Sequence, residues 1–147
     1  MQAQPNPFSS PTLIEGYAAQ TPLKVPGLAD LHRMTTLLLG ERARGAADIL
    51  VVGAGGGLEL RAMAEARTDW RFTGVDPSAA MLDIARQTAG AFADRIELLQ
   101  GVAADASPGP FDGATCLLTL HFLEAGERLA TLREIRRRLK PGAALVG

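Results

Sequence analysis

Gly53-Ala54-Gly55-Gly56-Gly57 follows the apolar, β-branched run Ile49-Leu50-Val51-Val52 and leads into Leu58-Glu59-Leu60-Arg61-Ala62-Met63-Ala64-Glu65-Ala66, a stretch of good helix formers. A buried strand, a glycine turn and a helix in that order bring bare backbone close to a ligand, because Gly53 and Gly55 carry no side chain and tolerate positive φ. The helix that follows offers free N–H groups to polar ligand atoms. Asp76 closes a second short strand roughly 20 residues further on, the distance at which a carboxylate accepts hydrogen bonds from both hydroxyls of a ribose. Read structurally, the same residues are a tight strand-to-helix turn and an aspartate that caps a turn before Pro77. Taken together, loop and acid point to an adenosine-type ligand. The dinucleotide pattern requires Gly or Ala at position 58, where Leu58 stands, and a phosphate-binding P-loop requires Gly-Lys-Ser/Thr, which is absent. Three glycines at alternate positions suit a ligand without a pyrophosphate.

The elements that position these residues alternate between strand and helix. Residues 1–27 are rich in Pro, Gln, Ser and Thr without a sustained period and read as an extended N-terminal arm. Leu28, Leu31, Met34, Leu37 and Leu38 fall at helical spacing, with Gly40 as the expected stop. Further strands are expected at 72–75, 96–99 and 114–118. Ser78 is placed to cap a helix over 79–88, and Gly90 to end it. A helix over 127–139 carries the stripe Leu129, Leu132, Ile135 and Leu139; Pro141-Gly142 stops it, and a fifth strand starts at Ala143. Strands alternating with helices imply parallel βαβ units.

The 147 residues fit one domain, with 47% hydrophobic and 21% charged residues and a net charge of −1, so no basic excess points to nucleic acid or membrane. Cys116 is the single cysteine and reads as a buried small hydrophobe. No Cys/His cluster has zinc-site spacing, and no metal site is expected. The N-terminus lacks the basic and apolar regions of a secretory signal, and no apolar run approaches bilayer-spanning length, so the cytoplasm is the expected location.

These residues resemble class I S-adenosylmethionine (SAM)-dependent methyltransferases. The parallels are Leu50-Val51-Val52-Gly53-Ala54-Gly55-Gly56-Gly57, Gly74-Val75-Asp76-Pro77-Ser78, Phe111-Asp112 and Leu139-Lys140-Pro141-Gly142, in family order and at family spacing over residues 48–147. The resemblance implies a Rossmann-like α/β fold, a parallel sheet ordered 3-2-1-4-5 between two helical layers. It also implies SAM as cofactor, in a site formed by Gly53, Ala54, Gly55, Asp76, Pro77, Met81, Val102, Ala103 and Leu117. The superfamily sheet has seven strands; five are legible here, so residues 28–147 are expected to be a SAM-binding domain that lacks the sixth and seventh. On that expectation the fifth strand is an open apolar edge that favours self-association.

A narrower likeness covers Val25-Pro26-Gly27, residues 117–124, Glu127-Arg128 and residues 142–146, which look like carboxy-S-adenosylmethionine synthase, an enzyme serving wobble-uridine modification of tRNA. Where those enzymes place a Tyr, an acid, an Asp and an Asn, this chain has Leu28, Val51, Val102 and Leu117. A carboxylate at position 51 helps anchor the methionine end of the cofactor, so Val51 is expected to weaken SAM binding by roughly 1–3 kcal/mol. Three functions follow as expectations: methyl transfer to a small molecule, carboxy-SAM synthesis, or SAM or nucleoside binding without catalysis. No catalytic residue is assigned. His121 is placed either as a general base near the methyl group or as a half-buried packing histidine. His32 reads as a surface residue, Trp70 as an edge-packing ring, and Arg133, Arg136, Arg137, Arg138 and Lys140 as a solvated face at a helix C-terminus.

Overall fold

The computed structural model describes residues 16–147, and the first part of the arm expected over 1–27 lies outside them. The elements are α1 (Tyr17–Lys24), α2 (Leu28–Arg42), β1 (Ala47–Val52), α3 (Leu58–Ala66), β2 (Trp70–Asp76), α4 (Ala79–Thr88), β3 (Ile96–Gln100), β4 (Phe111–Thr115), α5 (Ala125–Arg138) and β5 (Leu139–Val146). The five strands form one parallel sheet in the order β3-β2-β1-β4-β5, as expected, with β5 on the outside. The two faces of β1 sort its side chains by the period of two. Ile49 and Val51 join Leu39 of α2 and Leu60 and Met63 of α3 in one core, while Leu50 and Val52 join Ile135 of α5 in the other. Helices therefore cover both faces, which explains why β1 reads as an unbroken apolar run rather than an alternating one.

Several expectations shift. Residues 17–24, assigned to an extended arm, are the helix α1. Gly40 lies inside α2, which continues until the Ala43 N–H donates to the Leu39 carbonyl at 2.8 Å. Only the start of the expected stripe of α2 is buried: Leu28 is, but Met34, Leu37 and Leu38 are exposed, Leu37 by 63%, and His32, Thr35, Thr36 and Leu39 are buried instead. The face that α2 turns inward is fixed by its packing on β4, β5 and α3. It can be polar because the Thr35 and Thr36 hydroxyls donate back to the Leu31 and His32 carbonyls, both at 2.8 Å.

Strand β4 begins at Phe111 and ends at Thr115, so the apolar run Cys116-Leu117-Leu118 leaves the strand instead of forming it. The early start is held by Asp112, which accepts from the Asp48 N–H at 2.9 Å and from Lys140 Nζ at 2.7 Å and so ties β1, β4 and β5 together. Likewise β5 starts at Leu139, expected as the last residue of the helix, and runs through the expected stop Pro141-Gly142. In α5 the buried positions are Ile135 and Arg138, and Leu129 is exposed. Arg138 donates to the carbonyls of Ala104 (2.8 Å) and Ala106 (3.3 Å) and pairs with Glu134, so one member of the basic run belongs to the interior. Trp70 is fully buried at the start of β2 rather than at an edge, its Nε1–H donating to the Gly45 carbonyl at 3.2 Å with the Arg67 guanidinium 4.4 Å over its ring. Among the described residues no helix is long and apolar enough to cross a membrane.

Candidate functional site

The C-terminal ends of parallel strands are where turns of an α/β sheet meet a ligand. The loop 53–57 leaves β1, residues 76–78 leave β2, residues 101–105 leave β3 and residues 116–119 leave β4. Every residue assigned to the cofactor from sequence lies in one of these turns, apart from Met81 in the first turn of α4. Ala54, Met81, Ala103 and Leu117 are buried, Gly53, Gly55 and Asp76 half-buried, Pro77 and Val102 exposed.

Asp76 joins two of the turns. Its Oδ2 accepts from the Gly55 N–H and its Oδ1 from the Ser78 N–H, both at 2.9 Å. The Ser78 hydroxyl accepts in turn from the Met81 N–H at 3.2 Å, which caps α4. The aspartate is thus a turn residue and a loop clamp at once. Each carboxylate oxygen has two lone pairs, so both retain an acceptor site for a diol.

Gly53 has φ 75°, and a Cβ there would lie 2.2 Å from Thr119 Oγ1, so the first loop glycine lets the turn after β4 close onto the loop after β1. That second turn carries Leu118 at φ 52°, the one non-glycine residue with positive φ among those described. A bulky residue in this region costs of order 1–3 kcal/mol and marks a turn held by its surroundings. Here the Thr119 hydroxyl donates to the Leu117 carbonyl at 2.9 Å. His121 follows in the short turn Leu120–Phe122; it is exposed rather than half-buried, its ring centroid 4.0 Å from that of Phe122. His32, expected at the surface, is buried on α2, and burial pulls its pKa down. Clefts of about 210 Å³ and 220 Å³ lie elsewhere, one beside Asp48, Arg71 and Glu97, the other between α1, α2 and α3 beside Pro22, His32 and Arg61.

Of the four apolar departures, Leu28, Val51 and Leu117 are buried, and only Val102 faces outward, at 52% exposure. Sequence reasoning passed over another buried residue. Glu59, taken as a helix former, is 7% exposed, and its Oε1 and the neighbouring Thr115 Oγ1 find no hydrogen-bond partner. Burial pushes the Glu59 carboxyl up to about 7. Burial and then the Glu59 charge push the Cys116 thiol up to about 11, which makes it an inert core group. The only sequence signal for Glu59 was a carboxylate in the first turn after the glycine loop, where helix polarity alone accounts for an acid.

The Glu59 carboxyl sets a pH dependence of stability. Between about 4.5 and about 7 the folded chain holds a proton that the unfolded chain releases, so this group's contribution falls as pH rises through that window and is level above it. The full effect is up to about 3 kcal/mol. Urea unfolding of the wild type and of Glu59→Gln at pH 5 and pH 8 is expected to show the variant gaining on the wild type at the higher pH. An equal gap at both values would mean that the carboxyl titrates normally.

A Rossmann-like sheet with a glycine loop clamped by an acid at the end of β2 defines an α/β domain for a nucleoside-type ligand. The chain matches the methyltransferase domain family over residues 50–145, more than half of its length, and belongs to that family. No curated protein matches it. Similar solved structures include a SAM-bound amino pentose methyltransferase of calicheamicin biosynthesis from Micromonospora echinaspora, at 25% identity and TM-score 0.74, covering 88% of this chain and 54% of that one. A SAM-dependent methyltransferase from Thiobacillus denitrificans with S-adenosyl-L-homocysteine gives 23% identity and TM-score 0.72 over 99% of this chain and 56% of that one. One from Geobacter sulfurreducens with the same ligand gives 27% identity and TM-score 0.61 over 78% and 46%. The chain thus spans about half the length of these neighbours.

Proposed function

We propose that this chain is the cofactor-binding part of a SAM-dependent methyltransferase acting on a small molecule. The observation that carries the reading is the clamp: Asp76 holds the loop through the Gly55 N–H and keeps acceptor sites on both oxygens at the end of β2. In this reading Asp76 accepts the ribose hydroxyls, and Gly53, Ala54 and Gly55 present backbone to the methionine portion. Met81, Pro77, Val102 and Ala103 line the adenine side, and Leu117 borders the sulfur. Bound SAM supplies a methyl group on a sulfonium whose thioether leaving group is neutral, so alignment provides much of the acceleration and no general base is required. The likeness to an amino pentose methyltransferase supports a small-molecule acceptor.

A second reading, SAM or nucleoside binding without catalysis, is favoured by the burial of Leu28, Val51 and Leu117 at positions that are polar in the enzymes resembled. Calorimetry with SAM, S-adenosylhomocysteine and NADH is expected to detect the first two ligands. Binding of NADH alone would sink the methyltransferase reading, and SAM binding without turnover of any acceptor by the full protein would favour the second.

A further inference from the structure

We propose that Glu59 is the anionic partner of the cofactor's positively charged amino-acid end, a specificity residue supplied by helix α3 where strand β1 has none. The proposal rests on the SAM reading above and extends it to a residue outside the loop.

Thr115, beside the Glu59 carboxyl, is the last residue of β4 and the register partner of Val51 in β1. The carboxyl therefore stands at the C-terminal ends of the central strand pair. The two turns leaving those ends, 53–57 and 116–119, converge there, since a Cβ at Gly53 would meet Thr119. Val51 is fully buried and apolar, so β1 brings no charge to this place. Glu59 brings a carboxyl, ionised above about pH 7, yet its Oε1 is unpartnered, and none of the ion pairs among the described residues includes it.

A buried carboxyl with an idle acceptor lowers the stability of the chain on its own. It is retained at a place where a ligand brings the missing donor. Asp76 lies at the end of β2, on the other side of the loop from β4. A ligand whose ribose is held by Asp76 and which crosses the loop 53–57 reaches the β1–β4 end with its far portion. In SAM that portion carries an α-ammonium group beside the sulfonium, and both are cationic. The ammonium N–H groups are the donors that Glu59 lacks, and the pair is formed in a site already desolvated.

The test compares ligands that share the adenosine and differ in the amino acid. Calorimetry on the full chain uses S-adenosylhomocysteine, which has the ammonium group, and 5′-methylthioadenosine, which does not. Glu59→Gln is expected to weaken S-adenosylhomocysteine binding by at least about tenfold, the lower end for a charge-assisted hydrogen bond, and to leave 5′-methylthioadenosine within about twofold. The melting temperature of the ligand-free variant at pH 8 is expected to equal or exceed that of the wild type, because an unpaired buried carboxyl has been removed. Should Glu59→Gln not fold, Glu59→Met replaces the carboxyl by an apolar chain of similar length and is expected to give the same split. Equal weakening of both ligands, or of neither, overturns the proposal. A wild type that binds 5′-methylthioadenosine but not S-adenosylhomocysteine overturns it while leaving the adenosine site standing, and a wild type that binds neither ligand removes the SAM reading itself.

Discussion

Alanine at position 57 is expected to lower the unfolding free energy by about 3 kcal/mol. Gly57 is the residue before α3 and has φ 84°, a conformation that costs an L-residue about 1–2 kcal/mol. A Cβ there would lie 2.8 Å from the Cα and 3.1 Å from the carbonyl oxygen of Ala85, and main chain in the middle of α4 cannot rotate away. Overpacking of this kind costs about 1–3 kcal/mol more. The third loop glycine, read from sequence as part of a ligand cradle, therefore brings α3 and α4 together and fixes where the loop ends. Urea unfolding of Gly57→Ala beside Gly90→Ala checks this. A Cβ at Gly90 meets nothing within 4 Å, and Gly90 is not among the positive-φ glycines, so that control is expected to change stability by less than about 1 kcal/mol. Equal effects at the two positions would show that the α3–α4 contact is not tight.

Replacing Asp76 by alanine is expected to weaken adenosyl-ligand binding by roughly ten- to a hundredfold, the range of 1.5–3 kcal/mol for hydrogen bonds to a charged group. The Gly55 and Ser78 N–H groups lose their acceptor in the same variant, so stability is expected to fall as well, by about 1–3 kcal/mol. Calorimetry on protein shown by circular dichroism to be folded separates the two effects. Asp76→Asn is the informative companion: one amide oxygen still accepts from one N–H group, while the charge and the second acceptor are gone. An unchanged affinity in folded Asp76→Ala would reduce Asp76 to a clamp for the loop and a cap for α4.

The strands β1, β2 and β3, the helices α3 and α4 and the Ser78 cap were legible in the residues themselves, and the strand order followed from the family resemblance. Their signals are local: an apolar β-branched run, a glycine turn, a hydroxyl at an N-cap, and alternation that forces parallel pairing. The positions of Gly53, Gly55 and Asp76 were legible for the same reason, because two residues that follow neighbouring parallel strands are brought together by the sheet itself.

What only the tertiary structure decided is which side of each element is covered. Leu28, Leu31, Met34, Leu37 and Leu38 mark a stripe on α2, yet beyond Leu28 the buried side is that of His32, Thr35 and Leu39, since the face turned inward is the one that meets β4, β5 and α3. Arg138 enters the interior because the carbonyls of Ala104 and Ala106 need donors there, and these lie more than thirty residues away in the chain. Glu59 is buried, and its neighbours Thr115 and Cys116 come from far along the chain. Periodicity records how many apolar residues an element carries and how they are spaced. It holds no information about the neighbour that will remove water from them, and a charged residue reveals its role only when that water is gone.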